Sequence, residues 1–148
     1  MEQNPFKKIL FLITSAGEAK ETIRKVHGLA RVCHAKLIIL NVIDKMQIQR
    51  MKRFTNQSTT EIEVEMEENG WKYLYFIEEL SKNQGIPTVI LQNIGVVETE
   101  VLKEATRLKA DLIIAAKQQK KTGHIRRLDQ GYLYKIVENT SIPVLIIK

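Results

Sequence analysis

Five short apolar runs, each separated from the next by a segment with helical spacing, limit what this chain can fold into more than any other feature. They are Lys8–Ile13 (KILFLI), Lys36–Ile43 (KLIILNVI), Thr88–Leu91 (TVIL), Asp111–Ala115 (DLIIA) and Val144–Ile147 (VLII). Continuous rather than alternating hydrophobicity marks strands covered on both faces. The segments between them carry apolar stripes at helical spacing. Glu18–Val32 places Ile23, Val26, Leu29 and Ala30 together, behind a Ser15-Ala16-Gly17-Glu18 sequence with capping-box spacing. Thr59–Lys82 repeats that signature from Ser58 to Glu61 and aligns Ile62, Met66, Tyr73, Phe76, Ile77 and Leu80, with Gly85 as its stop. Glu98–Leu108 and about Gln130–Glu138, the latter with Asp129 as cap and Pro143 beyond its end, complete the set. Strands alternating with helices imply parallel pairing through right-handed crossovers. The expected fold is α/β: a single doubly wound domain over residues 1–148, with a five-stranded parallel sheet and helices on both faces, a Rossmann-like layout.

Length agrees, since 148 residues bury roughly 70% of the surface an unfolded chain exposes and need no covalent staple. Cys33, the one cysteine, has no internal partner for a disulfide, and no secretory leader pattern opens the sequence. A cytoplasmic setting is therefore expected. No apolar run approaches the length of a transmembrane helix. The net charge of +6 suits an anionic partner, but net charge bears on solubility before it bears on any particular ligand.

In a doubly wound sheet the ligand crevice opens at the carboxyl ends of the strands where the winding reverses. That directs attention to Thr14–Gly17, including Ser15, to Val42–Asp44 and to Ala116–Arg127. The last segment is basic, crowding Lys117, Lys120, Lys121, Arg126 and Arg127 with His124 and only Gly123 for a turn. Lysine and arginine hold phosphate by charge-assisted hydrogen bonds, so these side chains make an anion site physically reasonable; the competing reading is a solvated loop.

The order of these segments resembles the universal stress protein family across nearly the whole chain. KKILFLITSAGEA is similar to that family's opening strand and turn, and AKLIILNVID to its second strand. GIPTVILQNIGVVETEVLKEATRLKADLII is similar to its third strand, a helix and its aspartate-led fourth strand, and IPVLIIK to its last. The resemblance implies a nucleotide-binding α/β layout and a homodimer formed along the C-terminal strand. Nucleotide-binding members resemble one another in a glycine, two residues, a second glycine, nine residues, then glycine with serine or threonine. Here the first two positions fall on Ala116 and Gln119, and the final pair near Gln130 and Gly131. Glycine lets backbone N–H groups approach phosphate and permits positive φ, whereas another residue in the left-handed region costs roughly 1–2 kcal/mol. The family's adenine-contacting aspartate aligns with Thr14, which has no carboxylate to accept from an exocyclic amine. Val42 matches a valine whose backbone faces the base. The expectation is a regulatory or partner-binding module with reduced or absent ATP binding and no resident cofactor. The alternative is a member that holds ATP, another adenine nucleotide or another anionic small molecule through Lys117, Lys120, Lys121 and Arg126.

Other candidates carry two readings each. Lys45–Thr60 reads as a long polar connection, whose basic run (Lys45, Arg50, Lys52, Arg53) mixed with Met46, Ile48, Met51 and Phe54 either touches a membrane surface, covers the crevice or tucks onto the sheet edge. Val64, Trp71 and Tyr75 form a second stripe on the long helix, a partner surface or a packed face. Asp44 either meets a ribose hydroxyl or ends its strand in a turn; Asp111 belongs to the turn into strand four. Cys33 reads as a small core residue, and His27, His34 and His124 as surface or helix-face groups without metal-ligand spacing. No nucleophile elbow, Walker loop or carboxylate pair supports catalysis, and a weak ATPase lacks an identifiable water-activating group. Nucleic-acid association through the two basic loops would be weak and salt-sensitive, and is not expected.

Overall fold

A computed structural model describes residues 4–14, 17–117 and 131–148. Its strands are β1 (Lys8–Ile13), β2 (Lys36–Asp44), β3 (Thr88–Gly95), β4 (Leu112–Ala116) and β5 (Val144–Ile147). All pair in parallel, in the order β3-β2-β1-β4-β5, so the winding reverses between β1 and β4. Helices α1 (Lys20–Val32) and α3 (Thr59–Asn83) cover one face, α4 (Val97–Arg107) and α5 (Tyr132–Asn139) the other. Period-two pleating distributes each apolar run between the two layers. From β1, Ile9, Phe11 and Ile13 meet Val26 and Ala30 of α1 and Leu74 and Ile77 of α3. Leu10 and Leu12 join Val101 and Ala105 of α4 and Leu133 and Ile136 of α5. The expected α/β class and sheet are what the structure contains.

Three local expectations are corrected. Lys45–Thr60 is not all irregular: Lys45–Lys52 forms a further helix, α2, whose N-terminus is capped by the Asp44 carboxylate accepting from the Met46 N–H at 2.9 Å. Ile48 holds α2 down by packing with Ile43 and Ile62, while the basic residues and Phe54 stay exposed. The short run and its polar residues hid one apolar anchor and one cap. Strand β3 continues past Leu91, where the apolar run ends, because Gln92 and Asn93 have side-chain partners on opposite faces of the sheet. Gln92 is engaged by Asn41 and the Glu67 carbonyl, and Asn93 donates to Glu104 at 3.2 Å. Third, α1 starts only at Lys20, with no side-chain cap, because Glu18 is turned back toward Thr14. The matching signature at Ser58 does cap its helix, the hydroxyl accepting from the Glu61 N–H at 3.1 Å.

Asp111 fulfils its turn role, since its carboxylate accepts from the N–H groups of Lys7 and Lys8 and ties the entrance of β4 to that of β1. His27 is not a surface group. It is buried beside Ser81, Nε2 to Oγ 2.9 Å, and because the Ser81 hydroxyl donates to the Ile77 carbonyl, Nε2 is the donor to Ser81. Burial holds the His27 imidazole below its ordinary pKa. Cys33 is half-buried against the α1/α3 core, as a small apolar residue would be.

Candidate functional site

Parallel pairing places the carboxyl ends of β1, β2 and β4 at one edge of the sheet. Thr14 follows β1, Val42 and Asp44 lie at the end of β2, Ala116 ends β4 with Lys117 just beyond it, and Gly131 is the N-cap of α5. Ser15, Lys120, Lys121 and Arg126 lie outside the described residues, as do Asp129 and the remainder of the basic loop.

At the end of β1, a carboxylate stands against the residue that lacks one. The Thr14 N–H donates to Glu18 Oε1 at 2.6 Å, and the Thr14 hydroxyl donates to the same oxygen at 3.0 Å. The Glu18 N–H in turn donates to the Tyr73 hydroxyl at 2.6 Å, fastening the turn after β1 to α3. Gly17 permits this turn with φ +88°, its Cα side facing the Tyr73 ring. Burial raises the Glu18 carboxyl above its ordinary value, against the two hydrogen bonds from Thr14, which lower it. Glu18 was read from the sequence as part of a cap; its four-residue offset from Thr14 is the signal for the contact actually formed.

The end of β4 is also engaged. The Lys117 N–H donates to the Ile147 carbonyl at 2.8 Å, continuing the β4–β5 ladder. That amide is therefore directed into the sheet rather than toward a ligand at its edge. Asp44, for its part, caps α2.

Beside these residues lies a cavity of about 200 Å³, roofed by α2 and walled by β2 and α3. Val42 reaches it, with Asn41, Gln47, Asn69 and Tyr73 as polar lining and Met51 and Met66 as apolar lining. Gly70 forms part of its wall, and behind that glycine runs an amide relay that sequence reasoning missed. The Glu67 carbonyl can only accept, so Gln92 presents its Nε2 there, 3.1 Å away. Gln92 Oε1 then faces Asn41 Nδ2 at 2.8 Å, which turns Asn41 Oδ1 away as a buried acceptor with no hydrogen-bond partner among the described residues. An amide pair on adjacent strands opposite a helical glycine was the available signal. On the other face Glu104 is buried against Asn93 and Arg107. Burial alone would raise its carboxyl, but hydrogen bonds from Arg107 and Asn93 outweigh that and hold it below its ordinary value.

Among the described residues, no group of three histidine, cysteine, aspartate or glutamate side chains is placed to hold a metal ion. None of the described helices is long and apolar enough to cross a membrane.

Residues 5–148 match the model of the universal stress protein family. The fold is similar to that of a universal stress protein family member from Burkholderia pseudomallei, with 16% identity, a TM-score of 0.73 and coverage of 99% of this chain and 98% of that one. It is also similar to a universal stress protein from Archaeoglobus fulgidus in complex with dAMP (10% identity, TM-score 0.64, 97% and 98% covered). A third, a universal stress protein in complex with cAMP, gives 15% identity, a TM-score of 0.63 and 96% coverage of both chains. At these identities the likeness concerns fold alone. No curated protein matches the chain.

Proposed function

The chain belongs to the universal stress protein family, and from that premise we propose that it works as a regulatory, partner-binding module with reduced or absent ATP binding and no catalytic group. The observation that carries this reading is the end of β4. Ala116 stands where the nucleotide-binding pattern has its first glycine, and the Lys117 N–H is committed to the Ile147 carbonyl at 2.8 Å, so it is not free for a phosphate. At the end of β1, Thr14 spends both its N–H and its hydroxyl on Glu18, which leaves that residue no free donor. Calorimetric titration with ATP, ADP and AMP at low and high salt is expected to give no saturable binding in the micromolar range. Saturable micromolar binding that survives high salt overturns the reading.

One observation favours the second reading, in which an adenine nucleotide or another anion is held by Lys117, Lys120, Lys121 and Arg126. Glu18 returns to Thr14 the carboxylate that this position lacks, and among the described residues no donor meets its Oε2. That oxygen would be the acceptor for an exocyclic amine. Under this reading the same titration gives binding, and Glu18→Gln weakens it.

We also place the protein in the cytoplasm as one domain over residues 1–148, assembled as a homodimer through β5. Strand β5 is an edge of the sheet, and exposed Leu145 borders an open groove of about 410 Å³ shared with Lys25 and Leu29 of α1. Unpaired strand edges readily pair with a second chain. Sedimentation should show a dimer that Leu145→Lys converts to monomer; a wild-type monomer at tens of micromolar would refute this arrangement.

A further inference from the structure

Helix α3 carries charge of the opposite sign to the rest of the molecule. Thr59–Asn83 contains seven glutamates and two lysines, a net −5 within a chain of net +6, so the remaining residues together carry +11. Its core face is fixed by Ile62, Gly70, Leu74, Ile77 and Ser81, all buried. On the opposite face the 3.6-residue period aligns Val64, Glu68, Trp71, Tyr75 and Glu79, with Glu61 at the start of the row. The three apolar residues of that row are 46%, 36% and 59% exposed. Trp71 and Tyr75 lie with ring centroids 5.9 Å apart, inclined at 31°, so they present one continuous aromatic surface instead of scattered rings. The ambiguity of this stripe in the sequence is resolved toward solvent, because no described element packs over it.

The acidic flank is available too. Glu78 pairs with Lys82 at 3.6 Å, but among the described residues no basic side chain lies within ion-pair distance of Glu61, Glu63, Glu68 or Glu79. A row of aromatic rings bordered by unpaired carboxylates matches one kind of occupant. Guanidinium and ammonium groups are attracted to the faces of tryptophan and tyrosine and pair with carboxylates beside them. Tryptophan and tyrosine are also the residues most often found carrying binding energy at interfaces.

We propose that the outward face of α3 docks a basic segment of a different protein, one that carries arginine or lysine together with apolar side chains. This rests on the reading of the chain as a partner-binding module and gives that partner a chemistry. A second copy of this chain fits poorly. Two-fold contact would set the glutamates of one α3 against those of the other, and a contact between α3 and a basic patch elsewhere would be heterologous and not close into a dimer. Nucleic acid and anionic lipid are repelled by the same carboxylates.

Trp71 is the chain's one tryptophan, so its fluorescence reports from within the surface. The test uses the full chain and a fluorescein-labelled synthetic peptide of alternating arginine and leucine lacking tryptophan, with a glutamate-for-arginine peptide as control. Expected are saturable anisotropy at low salt, a shift in Trp71 emission over the same range, and weakening as salt rises. Trp71→Ala with Tyr75→Ala should lower affinity at least about tenfold with the melting temperature unchanged. Glu68→Gln with Glu79→Gln, which keeps the rings, should lower affinity about threefold or more and flatten the salt dependence. The proposal falls if the basic peptide does not bind, if the acidic peptide binds equally, or if the ring variant binds like wild type. It also falls if Trp71 emission shifts with protein concentration in the absence of peptide, the mark of self-association. Nucleotide titration is independent of all these outcomes, so failure of the docking surface and failure of the module reading remain distinguishable.

Discussion

Gly70→Ala should lower the melting temperature by roughly 10 °C, reversing the sign that helix physics alone would give. In the interior of a helix, alanine is normally better than glycine by roughly 0.5–1 kcal/mol. At this position a Cβ would stand 1.9 Å from Gln92 Oε1, 2.9 Å from Gln92 Cδ and 2.7 Å from Asn41 Nδ2. The Gln92 side chain would have to leave, and with it would go the bond from Asn41 at 2.8 Å and the bond to the Glu67 carbonyl at 3.1 Å. Overpacking costs about 1–3 kcal/mol, and a buried polar group stripped of its partner costs about as much again. Set against the propensity gain, the net loss is about 3 kcal/mol, and a chain of this size loses about 3 °C per kcal/mol. Thermal and urea unfolding of the variant measure it directly. In a Gln92→Ala background the same substitution should cost clearly less, because the nearer of the two side chains it collides with is gone and the Asn41 amide, no longer held by Gln92, can turn aside. A Gly70→Ala protein more stable than wild type would mean the amide relay does not hold α3 against β2 and β3.

The sheet was legible because its signal is repeated along the chain. Each central strand is apolar on two faces and each helix on one, so a reading of any one segment is checked by its neighbours. Misplaced boundaries occurred where polar residues do structural work through tertiary partners. Gln92 and Asn93 ended the apparent strand in the sequence, yet they hold β3 to α3 on one side and α4 on the other. Ile48 was one apolar residue in a basic segment, and its burial against Ile43 and Ile62 depends on where β2 and α3 bring those two. The site was less legible for a related reason. Position 14 in isolation reads as a lost carboxylate, whereas the turn at Gly17 brings Glu18 back to it. His27 read as a surface or helix-face group; it lies on the buried face of α1, where Ser81, far away in sequence, supplies its partner. In each case the pattern announced the element but not the long-range partner that fixes its polar residues.

Phe11→Ala should produce the larger of the two losses, about 4 kcal/mol, as expected when a buried phenylalanine is truncated and its cavity only partly collapses. Phe11 is 1% exposed in the central strand, opposite Ile39 of β2 and Ile114 of β4, in the layer shared by α1 and α3. Strands on both sides and a helical layer above restrict relaxation into the space, which keeps the cost from falling to the lower end of the roughly 3–5 kcal/mol range. A domain of ordinary stability has about 5–15 kcal/mol in total, so the urea midpoint should fall by roughly a quarter to most of its value with little change in slope. Phe11→Leu, which retains most of the volume, should cost less than half as much. Trp71→Ala removes a still larger ring from the opposite side of α3, and should cost no more than about 1 kcal/mol because Trp71 is 36% exposed and belongs to none of the core clusters among the described residues. The two aromatic truncations separate their roles by position: one affects unfolding, and the other should affect binding of a basic peptide. A loss of 2 kcal/mol or more in Trp71→Ala would make Trp71 a packing residue and remove the exposed anchor from α3.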